Sequence, residues 1–254
     1  MWKLRSVLFS IPAIALATIV MAMISITCSL WDKVGYAQHA IARLWSRMLM
    51  AFGAVRCKAF GTEKLDPAKS YVLVSNHASY MDTPAIVSSL PLQFRFFAKK
   101  GLFTIPFLGW HLSRAGHIPV VRGDARASLK NMSEGARLLR ERNISLLLFP
   151  EGGRTPVGMQ PFKEGAAYIA IKAGVPIVPI GLVRTREVLP MHTLVIRPGT
   201  VEVHVGDPIP TTDMTLRDRG RLNEILERKV AELAGEQPPV HAEDPASVNP
   251  ASVN

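Results

Sequence analysis

From Ser6 to Trp31 the chain carries no charged residue. The run is rich in Ile, Leu, Ala, Val and Met, and it exceeds the ~20 residues that span a hydrocarbon core. No other feature constrains the fold as much, because so apolar a surface has to be covered by lipid or by protein. Lys3 and Arg5 precede it, and Trp2 and Trp31 bracket it as interfacial anchors do. A cleaved leader has a shorter apolar core, about 7–15 residues, and ends in a small-residue site; no clean A-x-A site follows here. The run therefore reads as a retained membrane segment. Basic residues lie on both sides: Lys3 and Arg5 before it, Lys33, Arg43, Arg47, Arg56 and Lys58 after it. Positive flanks prefer the cytoplasmic side, so a hairpin satisfies both flanks where a straight span does not. Residues 36–54 carry Ile41, Leu44, Trp45, Met48, Leu49 and Phe52 at helical spacing. That pattern fits an amphipathic helix in the headgroup layer, and equally a helix packed on a globular domain.

The 254 residues are 48% hydrophobic, enough for one sizeable core plus an anchor. A formal net charge of +10 suits an anionic membrane surface, a phosphorylated substrate or nucleic acid. No zinc spacing, basic heptad region or aromatic-interleaved Arg stretch accompanies it, which argues against nucleic acid. Cys28 and Cys57 make no disulfide framework, so a reducing compartment is the simpler assumption.

Breaks near Phe60-Gly61 and Asp66-Pro67 suggest three parts: residues 1–60 as membrane segment plus amphipathic helix, 61–235 as the catalytic domain, 236–254 as a disordered tail. Strands are expected over residues 71–75, 94–98, 118–121, 144–149, 177–183, 194–197 and 201–205. Helices are expected over 125–142, 164–173 (closed by Gly174) and 215–234. The alternation argues α/β, a mixed and largely buried sheet flanked by helices.

Four constellations can carry chemistry. After the first strand stand Asn76-His77 and, five residues beyond the histidine, Asp82. A carboxylate beside an imidazole fixes its tautomer and supports its charged form; a helix cap fits the same residues. Phe149-Pro150-Glu151-Gly152-Gly153-Arg154 follows the strand Leu146-Leu147-Leu148. Paired glycines let backbone approach an anion and an arginine offers a planar fork; a turn with a surface ion pair fits too. Between Lys99-Lys100 and Arg122 lies an aromatic stretch with cations at its ends, readable as core or as an acyl-chain path. Val175-Pro176-Ile177-Val178-Pro179 suggests a bent strand shaping a pocket wall, or a purely structural one. No G-x-S-x-G elbow, H-E-x-x-H helix, Walker loop or dinucleotide glycine signature is present.

Taken in order, these blocks resemble the glycerolipid acyltransferase family, and within it the bacterial 1-acyl-sn-glycerol-3-phosphate acyltransferases. Asn76-His77 to Asp82 is similar to the N-H-x-x-x-x-D block, Gly116 to Arg122 to the second, Phe149 to Arg154 to the F-P-E-G-x-R block, and Val175 to Pro179 to the fourth. Gly153 stands where the family usually has Thr or Ser, and Pro119-Val120 where Phe-Ile is more typical. The resemblance implies a glycerol-3-phosphate acyltransferase-like fold. It implies transfer of a fatty acyl group from acyl-CoA or acyl-ACP to the sn-2 hydroxyl of lysophosphatidic acid, giving phosphatidic acid for phospholipid biosynthesis. His77 would be the base and Asp82 its orienter. Lys99, Lys100, Arg122, Glu151, Gly152, Gly153 and Arg154 would bind substrate. Neither cofactor nor metal is implied. The place implied is the cell inner membrane, with the catalytic domain facing the cytoplasm and membrane lipids as neighbours. Other acceptors, a lyso-ornithine lipid or lysophosphatidylethanolamine, fit the same blocks. A non-enzymatic anionic-lipid-binding protein accounts for anchor and charge but not for the His77–Asp82 pair.

Overall fold

The apolar runs become strands because each is covered on both faces. Leu146 and Leu148 join one core cluster with Val72, Val74 and Ile177, while Leu147 joins the other with Leu73, Phe94 and Val178. A strand buried on both faces loses the polar alternation of a half-exposed one. The computed structural model describes residues 2–120, 125–142 and 144–239. In chain order its elements are α1 (Trp2–Arg5), α2 (Ile11–Cys28), α3 (Tyr36–Gly53), β1 (Val55–Phe60), β2 (Val72–Ser75), α4 (Asp82–Ser89), β3 (Phe94–Lys99), α5 (Leu108–Arg114), β4 (Ile118–Val120), α6 (Ala125–Arg142), β5 (Ser145–Leu148), α7 (Gly165–Ala173), β6 (Ile177–Val183), α8 (Thr185–Val188), β7 (Gly199–Val205) and α9 (Arg219–Ala234).

The sheet runs β1-β7-β6-β2-β5-β3-β4. Every pairing is parallel except β6 with β7. Helices α3 and α4 cover one face through Met50, Ala85 and Ile86; α6, α7 and α9 cover the other through Ala136, Ala167 and Leu226. At Gly181 a Cβ would lie 2.3 Å from the Leu233 carbonyl carbon, so only glycine lets α9 rest directly on β6. This is the expected mixed sheet flanked by helices. Gly174 and Gly235 end α7 and α9 in the left-handed conformation that closes a helix.

Three local expectations change. The boundary after Phe60 follows a strand: Val55, Cys57 and Ala59 alternate with Arg56 and Lys58, and β1 pairs in parallel with β7 at the sheet edge. Residues 194–197 are not a strand; Ile196 N–H donates to Ser6 Oγ and Arg197 N–H to Val188 O, contacts with other segments rather than a ladder. Proline 179 sits in a regular central strand. Its carbonyl accepts Gly206 N–H, so its missing N–H faces β7, where the ladder ends at Val205, and not β2. The tail beyond residue 239 lies outside the described residues.

Helices α2 and α3 form an antiparallel hairpin: Ser10 Oγ donates to Phe52 O at 2.9 Å, and Trp45 Nε1–H to Thr18 Oγ1 at 3.0 Å. Arg5 clamps its open end to Gly53 O and Ile196 O. The helix from Trp2 to Cys28 is long and apolar enough to cross a membrane by length and composition. Within α2 only Ala17, Ala22 and Ser25 are buried; Leu16, Ile19, Val20 and Met23 are exposed. Helix α3 packs on the domain, as the second of its two sequence readings had it. It buries Gln38, His39, Ser46, Leu49 and Met50, and Arg43 caps Leu90 O and Leu92 O.

Candidate active site

The site forms where β2 and β5, adjacent parallel strands, end side by side, the edge where α/β sheets place ligands. Asn76 turns the chain out of β2. Its amide accepts Leu182 N–H at 2.8 Å and donates to Leu182 O at 3.1 Å, so a side chain continues the pairing with β6 where backbone pairing stops. His77 follows in the loop, five residues before Asp82 opens α4; the two do not share a helix. Oδ2 of Asp82, wholly buried, accepts the N–H of Ala78 at 2.7 Å, that of Ser79 at 2.8 Å, and His77 Nδ1–H at 2.8 Å. Three donors on one oxygen fix the loop and place the imidazole proton on Nδ1, which makes Nε2 the basic nitrogen. Ser79 Oγ accepts Met81 N–H and donates to Leu189 O. Phe149 lies flat against the imidazole, centroids 3.9 Å apart.

Glu151 does not face the cavity. Its Oε1 accepts His77 N–H at 2.6 Å and its Oε2 accepts Gln160 N–H at 2.9 Å. Burial pushes its carboxyl up to about 7, against the lowering effect of those two bonds. It clips the β5–α7 loop to the His77 loop. Gly152 has φ +77°, and a Cβ there would meet Lys163 Nζ at 2.8 Å; its N–H donates to Phe149 O. That N–H closes a turn, so this glycine does not offer it to an anion. Arg154 stacks its guanidinium 3.9 Å from the Tyr80 ring centroid, a cation–π contact.

These groups wall a cavity of about 790 Å³. His77, Gly152, Gly153, Arg154 and Lys99 line it, and so does Lys163. Lys100 is exposed at the start of a 3-10 turn and does not line it; Arg122 lies outside the described residues. No Asp or Glu lines it among the described residues, so its walls are positive. Beyond the cations the lining turns apolar, with Phe96, Leu108 and Leu112, and reaches Met21, Ala22 and Trp45 of the hairpin. The aromatic stretch after Lys99 thus divides: Leu108 and Leu112 line the cavity, whereas Ile105 and Trp110 are exposed. The fourth block does not: none of residues 175–179 lines it. Sequence reasoning missed Lys163 and Tyr80 as site residues. Lys163 sits in Phe162-Lys163-Glu164-Gly165, which resembles the segment that joins the family's last two blocks and stands just before a helix, signals that gave it no site role; Tyr80 had none. No group of three or more His, Cys, Asp or Glu side chains able to hold a metal occurs among the described residues.

Residues 56–183 match the family model described as acyltransferase, which is half of the chain. The chain belongs to the acyltransferase family. Among curated relatives it is 33% identical over 215 residues to a chloroplastic 1-acyl-sn-glycerol-3-phosphate acyltransferase of Brassica napus, covering 82% of this chain and 61% of that one. It is 34% identical to a second such chloroplastic protein, of Arabidopsis thaliana, over 67% of this chain and 48% of the relative. This acyltransferase therefore spans roughly half to three fifths of the length of those relatives. Its fold matches the crystal structure of the 1-acyl-sn-glycerophosphate (LPA) acyltransferase PlsC from Thermotoga maritima, with a TM-score of 0.76 at 22% identity, over 93% of this chain and 99% of that one.

Proposed function

We propose that this acyltransferase moves a fatty acyl group from an acyl thioester, acyl-CoA or acyl-ACP, to the sn-2 hydroxyl of 1-acyl-sn-glycerol-3-phosphate. The product is phosphatidic acid, an intermediate of phospholipid synthesis. One observation carries the reading. A histidine held at Nδ1 by a buried aspartate shares a cavity with Lys99, Arg154 and Lys163, and no carboxylate lines that cavity among the described residues. A base beside a cluster of cations, continuous with an apolar channel, suits an acceptor that combines a hydroxyl, a phosphate and an alkyl chain. The names of the curated relatives support the same substrate.

His77 Nε2 takes the proton of the acceptor hydroxyl as its oxygen attacks the thioester carbonyl. Asp82 supports the imidazolium that forms. The tetrahedral intermediate collapses, the C–S bond breaks, and the imidazolium returns its proton to the departing thiolate. Arg154, Lys99 and Lys163 hold the acceptor phosphate. Gly153 backbone faces the developing oxyanion. The thioester is already activated, so the reaction runs on donor and acceptor without a cofactor. The exposed apolar face of α2 seats the chain in the inner membrane, with the sheet domain on the cytoplasmic side.

The test is thiol release by the purified protein, given lysophosphatidic acid and a panel of acyl-CoA and acyl-ACP donors. Release that depends on the acceptor, with phosphatidic acid formed in equal amount, is expected. No release with any donor, or preference for an acceptor without phosphate, overturns the reading.

A further inference from the structure

Helix α9 covers one face of the sheet, and none of its residues lines the cavity. Its buried residues Leu222, Leu226, Val230, Ala231 and Ala234 are apolar, as a helix face against a core should be. Two residues break that pattern: Asn223 is 6% and Glu227 3% exposed. They stand four positions apart, so they share one face of the helix. Burying an amide and a carboxyl weighs against folding unless they are hydrogen-bonded. Both reach the same residue, Phe162, 61 and 65 positions earlier in the chain. Asn223 Nδ2–H donates to Phe162 O at 2.9 Å, and Glu227 Oε1 accepts Phe162 N–H.

The segment so held carries Lys163. Between β5 and α7 the chain runs from Phe149 to Glu164 without helix or strand, so no ladder sets the direction of its side chains. Individual bonds do so instead. Phe162 C=O and Lys163 N–H belong to one peptide plane. Asn223 holds the carbonyl of that plane from α9, and Pro150 O accepts its N–H at 3.0 Å. Glu227 holds the preceding plane through Phe162 N–H. Two successive planes held in this way fix φ and ψ of Phe162 and the point from which the Lys163 side chain departs. The Phe162 side chain is itself buried in the core cluster that contains Leu222 and Leu226. The Lys163 stem then lies along Gly152: a Cβ there would stand 2.8 Å from Nζ, 3.2 Å from Cε and 3.6 Å from Cδ. Lys163 lines the cavity together with Lys99 and Arg154.

A lysine ammonium on a flexible four-carbon stem loses side-chain entropy when it is held against a phosphate. Fixing its backbone and laying its stem along Gly152 removes part of that loss before substrate arrives. We propose that Asn223 and Glu227 are positioning residues for Lys163: from outside the cavity they fix the Phe162–Lys163 peptide, and so set the affinity for the acceptor phosphate. This role rests on the phosphate contact proposed above for Lys163 and adds the residues that place it. Glu227 contributes an acceptor oxygen, which a glutamine carbonyl also supplies.

Steady-state kinetics with lysophosphatidic acid and an acyl thioester test the placement. Glu227→Ala and Asn223→Ala should each raise KM for lysophosphatidic acid by roughly threefold or more, the scale of a lost neutral hydrogen bond, with KM for the thioester within about twofold. Glu227→Gln should restore the wild-type KM. Combined with Lys163→Ala, neither substitution should add a further rise, because the group it places is gone. A general loosening of the fold would instead move both KM values and act equally with or without Lys163. Unchanged KM for lysophosphatidic acid in Glu227→Ala and Asn223→Ala overturns the proposal. A rise of the same size on top of Lys163→Ala does so too, as does a glutamine that fails to restore. Where Glu227→Ala does not fold, Asn223→Ala alone and paired with Lys163→Ala completes the same cycle. Lys163→Ala with an unchanged KM removes Lys163 from the phosphate site and overturns the contact and its placement together. Should the wild type release no thiol from any donor, the acyl-transfer reading fails separately. Amide hydrogen exchange then decides the placement: faster exchange at Lys163 in Asn223→Ala, with the β2 amides unchanged, supports it, and the absence of such a selective rise overturns it.

Discussion

The backbone N–H of His77 donates to Glu151 Oε1 at 2.6 Å. The acid of the F-P-E-G-x-R block thus acts on the base through its main chain, and its second oxygen holds Gln160 N–H. Two loops that leave neighbouring strands are tied at the proposed base. A carboxylate so used is a positioning group, and its burial has a consequence for stability.

Glu151 keeps its proton up to about 7 in the folded chain, against an ordinary value near 4.5. Between those values the folded state binds more protons than the unfolded state. The stabilisation from this group is therefore complete below about pH 4.5 and is lost as pH rises toward and through 7. Glu151→Gln removes the titration. The Tm of the wild type minus that of the variant should fall from pH 4.5 to pH 7.5, measured by differential scanning fluorimetry. A difference that stays flat across that range refutes the assignment.

His77→Ala should lower kcat by roughly 10²–10⁴-fold, the usual worth of a general base. Asp82→Asn puts an amide where one oxygen takes three donors. It should lose comparable activity and about 1–3 kcal/mol of stability from unmatched buried groups. Thiol release and urea denaturation measure the two effects. Full activity in the histidine variant ends the proposed mechanism.

Arg154→Ala and Lys163→Ala should each raise KM for lysophosphatidic acid by roughly tenfold, the scale of a lost charged hydrogen bond, with a smaller change in kcat. Lys100→Ala should leave KM within twofold, because Lys100 does not line the cavity. An unchanged KM in the first two would remove them from the phosphate site.

Asn76→Ala leaves Leu182 N–H and C=O, both answered by that side chain, without partners in a buried strand. A stability loss of about 2 kcal/mol is expected from chemical denaturation, with kcat reduced because the loop carrying His77 starts there. A variant as stable as the wild type would show that the amide adds nothing to the strand pairing.

Leu16, Ile19, Val20 and Met23 form an exposed apolar surface on α2, larger than an isolated soluble domain normally shows. Replacing all four with serine should abolish co-sedimentation with anionic phospholipid vesicles. Persistent vesicle binding would place the membrane contact elsewhere.

Much of the fold is legible from local pattern. The runs at residues 72–75, 145–148 and 177–183 announce themselves because burial on both faces leaves no room for polar side chains. Gly174 and Gly235 mark helix ends because only glycine takes that backbone readily. Strand β1 hid behind the apolar segment before it, although its alternation of Val55, Cys57 and Ala59 with two cations is the signal of an edge strand. The expected strand at residues 194–197 failed because its backbone groups bond to Arg5, Ser6 and Val188 instead of a ladder, and Leu194 stays exposed.

Local sequence determined six of the seven sheet strands, helix caps such as Gly174 and the pair His77 and Asp82, because a separation of five residues is short enough for spacing alone to bring them together. Tertiary structure alone decided that Glu151 serves the backbone of His77 and that Lys163 lies over Gly152. Those contacts join segments far apart in the chain, and whether a polar side chain meets substrate, solvent or another backbone depends on what the sheet and the hairpin bring beside it.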